Sequence, residues 1–406
     1  MKILFLGLLY DEKKELEYAR NSKIGLQGAP NIFQWDLISG MEKSLMDNCV
    51  TIYNSLPVGT FPKYYRKPIL YSKKWSHNNS RDYEIGSVNL PIIKQITRKI
   101  KYVKKIKEWI EETQSEKHII AYSIYPIFLK ALKHIKKLYP EINITFVVPD
   151  LPSIYGVLPK NPFKAFIYKK YGDKILKNLF FVDSFVLLTE AMKEPLKVGE
   201  RSYIILEGLV QECFNNGIIR MPNQTEKIIL YTGTLQHQFG IKSLLDAFIK
   251  IRDDHYRLWI CGSGEAEKDI NELSEQDDRI VYYGYTSRER TIELQQRATV
   301  LINPRQNNGE YTKYSFPSKT MEYMASGKPV IMYKLDGIPT EYDKYLYYVI
   351  DNSTESLKNR IIEVCEKSDE ELLNFGQKAK DFVLKEKNNV VQANRVINML
   401  KEVHTK

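Results

Sequence analysis

The sequence predicts an α/β chain made of two Rossmann-like, doubly wound halves facing a central cleft. Three observations carry that reading: βα alternation in each half, strands that read as uninterrupted apolar runs, and a break in texture around residues 208–226. Strands buried on both faces lose the in-out alternation of a half-solvated sheet, so such runs between turns point to parallel sheets covered by helices. A chain of 406 residues with 43% apolar and 12% aromatic content is long enough to bury two cores.

The first half, residues 1–207, opens with "KILFLGLL", a helix-like "PNIFQWDLISGMEKSLM" and "CVTIYN", and continues through "HIIAYS", "IFLKALKHIKKL", "INITFVVP" and "FVDSFVLLT". Its opening run reaches acid at Asp11 and Glu12, which fits a first buried strand better than a secretory signal. The polar stretch "QECFNNGIIRMPNQTEK" marks a linker over 208–226. A second series spans 227–385: "IILYTGTL", "IKSLLDAFIKI", "YRLWICGSG", "RIVYYGY", "TVLINPR", "KPVIMY" and "YLYYVI". Over 386–406, apolar Val391, Val396, Met399 and Leu400 at helical spacing predict a closing helix that packs back on the first domain.

A formal charge of +10 favours an anionic partner without choosing among nucleic acid, phosphorylated metabolites and lipid headgroups. The four cysteines lie far apart with no CxxC or Cys/His cluster, which excludes a disulfide framework or zinc site as a reading and suggests a reduced, cytoplasmic protein. No apolar run approaches the roughly 18 to 20 residues of a spanning helix.

Ligands of open α/β sheets bind beyond the carboxyl ends of the strands, so the βα loops hold the candidates. A nicotinamide enzyme would show G-x-G-x-x-G after its first strand, where "FLGLLYDE" has only Gly7. In "CGSGEAE", Gly262 and Gly264 follow a strand but Glu267 stands at the third glycine, leaving a phosphate-holding helix start and a plain tight turn both open. Gly25 and Gly28 in "GLQGAPNIFQW" are likewise either an ordinary turn or a loop that lets the backbone approach a ligand. The nearest thing to Asp-x-Asp is Asp82-Tyr83-Glu84, read as a polar loop, so no carboxylate pair for a magnesium-diphosphate is expected. Diphosphate charge then falls to protein cations, and Arg305 after "TVLINP" and Lys319 on the next helix occupy strand-end and helix-start positions. The densest ionisable stretch, "EYTKYSFPSKTMEYMASGKPVI", starts a helix at about Pro317, places Lys319 and Glu322 on one face, and ends it at Gly327.

In this order "YTGTLQHQFGIKSLLDAF", "WICGSGEAE", "RIVYYGY", "LINPR" and "YSFPSKTMEYMASGKPVI" resemble the nucleotide-sugar-binding half of retaining GT-B glycosyltransferases of family 4 (group 1), most of all those of bacterial exopolysaccharide and capsule assembly. The resemblance covers 227–350; the first half matches more loosely, through "MKILFLG", "FVVPDLPSIYG", "VLLTEAM" and "ILEGLV". It implies that Glu322, at the second of the family's two glutamates, holds the ribose. The first falls on Tyr314, so Glu310, the Tyr314 hydroxyl or amides around Phe316 must face the donor sugar instead. The basic pair after the first strand falls on Thr234 and Phe239, which moves its task to Arg305 and Lys319. Gly233, Thr234, Gly262, Gly264, Tyr285, Tyr314, Ser315, Phe316, Pro317 and Ser318 are implied donor contacts. Asp150 in "VVPDLP" is expected to orient the acceptor hydroxyl, whereas His118 has a structural role.

Further expectations are transfer with retention, no cofactor, no metal, and a UDP-sugar in preference to a GDP-sugar. The expected acceptor is a polysaccharide or lipid-linked saccharide. The basic run Lys94–Lys107, with Ile96, Ile100, Val103 and Ile106 at helical spacing, is either a solvated helix face or part of a 61–107 surface that touches anionic lipid at the inner face of the plasma membrane. Nucleic acid is not expected, since no helix-turn-helix, zinc or RNP-type signature is present. A catalytically silent sugar-nucleotide binder is the first alternative reading, and a nucleic-acid-binding protein ranks behind it.

Overall fold

The structure is a computed structural model describing residues 1–23, 26, 28–45, 49–152, 161–211 and 226–404. It divides into two units, Met1–Leu209 with Asn389–Lys406, and Val210–Asn388. Of the linker over 208–226, residues 212–225 lie outside the described residues, as does Gly25.

The first unit runs β1 (Lys2–Gly7), α1 (Glu15–Asn21), α2 (Gly28–Leu45), β2 (Val50–Asn54), β3 (Ile69–Leu70), β4 (Lys73–Trp75), β5 (Asp82–Glu84), β6 (Ser87–Val88), α3 (Ile93–Glu112), β7 (Lys117–Tyr122), α4 (Pro126–Leu138), β8 (Asn143–Val148), α5 (Pro162–Leu176), β9 (Ser184–Leu187), α6 (Lys193–Leu196) and β10 (Ser202–Ile205). Its main sheet has the order β10-β9-β8-β7-β1-β2-β5-β4, parallel except for the edge pair β4–β5. Ile3, Phe5, Ile52, Ile120, Val147 and Val186 of its strands share one core with Leu37 and Met41 of α2, as expected for a doubly wound sheet.

Asp82-Tyr83-Glu84, read from sequence as a polar loop, is strand β5. Asp82 is buried because its carboxylate is occupied: Oδ1 accepts from the Ile52 amide at 2.8 Å and Oδ2 lies 2.6 Å from His77 Nδ1. His77 also lies 3.0 Å from Glu42 on α2. Burial alone would lower the His77 pKa; hydrogen bonds to Asp82 and Glu42 outweigh it and push it up to about 9.

Helix α3 has a different inward face from the one its isoleucines suggest. Ile96 and Ile100 are exposed while Lys94, Arg98 and Tyr102 are buried beside Ile106. The cations are tolerated because their donors are used: Lys94 Nζ donates to the Val58 carbonyl, and Arg98 donates to Ser87 Oγ at 3.2 Å and the Leu56 carbonyl at 3.1 Å. Burial, then the neighbouring Arg98 charge, pull Lys94 down to about 7.

The second unit runs β11 (Lys227–Thr232), α7 (Ile241–Phe248), β12 (Tyr256–Cys261), α8 (Glu267–Ser274), β13 (Ile280–Tyr282), α9 (Arg288–Arg297), β14 (Val300–Asn303), α10 (Ser318–Ala325), β15 (Val330–Tyr333), β16 (Tyr347–Val349), α11 (Thr354–Cys365) and α12 (Asp369–Glu386). The sheet order β13-β12-β11-β14-β15-β16 is all parallel and reverses direction between β11 and β14, the Rossmann arrangement. Then α13 (Asn389–His404) returns to the first unit, where Ala393, Val396, Ile397 and Leu400 join its core. Gly40 of α2 makes this possible: a Cβ there would sit 2.1 Å from the Asn389 carbonyl oxygen.

Candidate functional site

The switch between β11 and β14 is where a doubly wound sheet opens space beyond its strand ends, and the expected second-unit cations converge there. Gly233 follows β11 with φ +152°, and a Cβ on it would come within 3.8 Å of Lys319 Cε. Gly262 after β12 has φ +136°, and its Cβ would lie 1.8 Å from the Gly233 carbonyl oxygen; Gly264 stands in the same relation to Leu235, at 2.5 Å. These glycines are required by close contact between neighbouring loops. The Gly264 amide donates to Glu267 Oε1 at 2.7 Å, and Glu267 and Asp269 fill the first turn of α8. That favours the tight-turn reading of "CGSG" over a phosphate held at this helix start.

Arg305 follows β14. Its guanidinium lies between the rings of Phe239 and Tyr311, 5.5 and 5.1 Å from their centroids, and Nη2 donates to Ser315 Oγ at 3.1 Å. Its Nε is buried with no hydrogen-bond partner, a costly state that an incoming acceptor would relieve. Beside it, Tyr231 donates to the Thr234 carbonyl at 2.9 Å, and a pocket of about 290 Å³ opens against His237, Gly240, Gln306 and Tyr311.

Pro317 caps α10 and Ser318 begins it. Lys319 Nζ lies 2.9 Å from Glu322 Oε2, while Gln295 Nε2 of α9 donates to Glu322 Oε1 at 2.8 Å. Burial pushes the Glu322 carboxyl up, and the Lys319 ammonium, with hydrogen bonds from Lys319 and Gln295 and the more distant Arg288, more than offsets this and holds it below the ordinary carboxylate range. About a third of the Glu322 side chain is in contact with solvent, so a ligand can reach it. Tyr323 fixes the helix against β11: its hydroxyl accepts from the Thr232 amide at 2.8 Å and donates to the Thr232 carbonyl at 3.0 Å.

The remaining expected residues divide. Ser315 and Phe316 are buried beside this cluster, the latter's ring 5.3 Å from Tyr342. Tyr314 is only 6% exposed, which leaves its hydroxyl little access to a ligand. Tyr285 is 77% exposed on the loop after β13. Glu310 points outward, its carboxylate 2.7 Å from Lys313, and the structure does not bring it to Glu322. In the first unit Asp150 is exposed just after β8; burial first and the Asp150 charge second raise the Tyr122 pKa, which places Asp150 near the end of β7. Gly28 begins α2, its Cβ position 3.9 Å from the Tyr10 hydroxyl. His118 is fully buried within β7 and reaches Glu116 at 2.8 Å.

Gln295, Arg288 and Tyr323 are the residues that sequence reasoning missed. Gln295 alone left a signal, a polar side chain on the inward face of "TIELQQRA". Among the described residues no group of three or more His, Cys, Asp or Glu is placed to hold a metal ion, and no helix is long and apolar enough to cross a membrane.

With this geometry in hand, comparison with known proteins gives a consistent result. Residues 219–382 match the family model described as Glycosyl transferases group 1. Over its whole length the chain superposes on a sucrose-phosphate synthase from Thermosynechococcus elongatus, with a TM-score of 0.67 at 14% identity and all of both chains covered. It also superposes on the Anabaena protein HepE in complex with UDP, with a TM-score of 0.63 at 12% identity over 99% of this chain and 100% of that one. The fold is GT-B. At these identities the likeness speaks for the fold alone. An uncharacterized glycosyltransferase of Methanocaldococcus jannaschii is 30% identical over 117 residues, a stretch covering 28% of this chain and 28% of that relative.

Proposed function

We propose that the chain is a glycosyltransferase that moves a hexosyl unit from a nucleoside diphosphate sugar, UDP-sugar in preference to GDP-sugar, to a polysaccharide or lipid-linked saccharide, in the manner of the family 4 enzymes of exopolysaccharide and capsule assembly. The observation that carries this reading is the Lys319–Glu322 pair and the Arg305 guanidinium with its buried Nε, both beside Tyr231 and Gly233 at the switch point of a unit that matches the group 1 family model. Arg305, with an unfilled buried N–H, and Lys319 meet the diphosphate. As Lys319 turns from Glu322 to phosphate, Glu322 Oε2 becomes free to accept from a ribose hydroxyl while Gln295 keeps Oε1 in place.

Transfer with retention follows by front-face attack. The C1–O bond to the leaving phosphate breaks, the acceptor oxygen bonds to C1 on the same face, and the departing phosphate oxygen takes the acceptor's proton. No protein nucleophile is needed, and the two cations stabilise the charge that develops on the diphosphate. Asp150 orients the acceptor hydroxyl. The enzyme works without a metal ion, in the cytoplasm, and meets the inner face of the plasma membrane through the 61–107 region, where exposed Ile92, Ile93, Ile96 and Ile100 lie among lysines.

A catalytically silent sugar-nucleotide binder is the second reading, favoured by the buried Tyr314 and the outward Lys313–Glu310 pair. Release of free nucleoside diphosphate from a panel of donor sugars, with a saccharide acceptor and a chelator present, separates the two. Acceptor-dependent release that survives chelation is the expected result; binding without release supports the silent binder, and loss on chelation removes metal independence.

A further inference from the structure

Among the described residues, the helix with the most exposed large apolar side chains is α5, which carries no expected function. Along α5, Phe163, Phe166, Ile167, Tyr168 and Tyr171 are 71%, 61%, 48%, 63% and 48% exposed. Phe163, Phe166, Ile167 and Tyr171 recur at the three- and four-residue steps of one helical face. The opposite side is the one that packs, through Ala165, Gly172 and Leu176, with Leu179 just beyond. Leaving such rings in water forgoes the gain of burial, and a soluble chain seldom exposes so contiguous a patch without a use for it.

The patch is also cationic. Lys169, Lys170, Lys174 and Lys177 are exposed against a single acid, Asp173. Lys170 Nζ lies 5.9 Å from the Phe166 ring centroid. Just beyond the helix, Lys133 Nζ sits 4.9 Å from the ring of Phe180, itself 70% exposed. Aromatic rings with one apolar face, ringed by long lysines that can keep their ammonium groups in the headgroup layer, suit a bilayer interface. The same lysines repel a second copy presenting the same face, and an anionic leaflet complements them.

We propose that α5 is the membrane-docking helix of the protein, entering an anionic bilayer interface with Phe163, Phe166, Ile167 and Tyr171. This rests on the reading of a membrane-surface enzyme and moves the inserting element from the 61–107 region to α5, leaving the former as an electrostatic flank.

Co-sedimentation with phosphatidylcholine vesicles, with and without phosphatidylglycerol, tests it on the full chain. Wild type is expected to bind only the phosphatidylglycerol vesicles, and added salt to weaken binding. Phe163→Ser and Phe166→Ser are each expected to cut partitioning about tenfold, with UDP affinity and thermal midpoint unchanged. Ile96→Ser/Ile100→Ser is expected to have a smaller effect. If the ring variants bind as wild type while the isoleucine variant is lost, α5 is wrong and the 61–107 surface stands. If wild type binds no vesicle, the membrane reading falls with it. A wild-type dimer converted to monomer by Phe166→Ser would make the face a contact between copies and overturn the proposal.

Discussion

The two units use the same architecture and spend their unusual residues differently. The second brings Arg305, Lys319 and the solvent-reachable Glu322 to its switch point, whereas the first spreads apolar and basic groups over its surface. Of the exposed large apolar side chains among the described residues, sixteen lie in the first unit and three in the second. Interior packing does not differ in this way: both sheets are parallel apart from the β4–β5 edge pair of the first, and the central strands of each are buried. A shared fold thus fixes where a site can open, and surface chemistry tells the two halves apart.

The comparison can be sharpened first by stability. Gly262→Ala forces a Cβ into the Gly233 carbonyl at a backbone angle that disfavours L-residues, and is expected to cost about 4 kcal/mol in denaturant unfolding. Gly40→Ala in the first unit meets an equally close carbonyl but sits in a helix, where alanine returns about 1 kcal/mol, so its cost should be smaller. Equal costs would mean that the φ of Gly262 is unimportant.

Next comes pH. The His77 pKa is raised on folding, so its contribution is fully present below the ordinary value near 6.5 and disappears as pH rises through about 9. The difference in stability between wild type and His77→Gln should reach up to about 3 kcal/mol at low pH and shrink across that window. A flat difference profile would remove the Glu42–His77–Asp82 staple from the account of the first unit.

The smallest expected effect belongs to Gln295→Leu, which leaves Glu322 without one of its two close partners. UDP affinity should fall about tenfold with little change in thermal midpoint, and Gln295→Glu should not restore it, because a second carboxylate repels the first. Unchanged affinity would make Gln295 a packing residue.

Much of the architecture was legible because parallel strands write themselves as apolar runs: "KIILYT" and "VLIN" are each a strand of the second sheet, and "LWIC" is the buried end of another. Side-chain direction was less so. Arg98 and Lys94 look like solvated bases in sequence, yet carbonyl and hydroxyl partners far along the chain let them turn inward and leave Ile96 and Ile100 outside. The α5 rings resemble any core stripe until exposure distinguishes them. At the site, the spacing of Lys319 and Glu322 foretold their contact, whereas Gln295 reaches Glu322 from another helix, which no local pattern encodes. The outward turn of Glu310 likewise depends on its pairing with Lys313 rather than on its distance in sequence from Glu322.

Calorimetric titration of UDP and GDP into wild type, Lys319→Ala and Glu322→Ala tests the central claim most directly. The account predicts tighter binding of UDP than GDP to wild type and a loss of about tenfold or more in each variant, as removal of a charged hydrogen-bond partner requires. Affinity unchanged in both variants would contradict it.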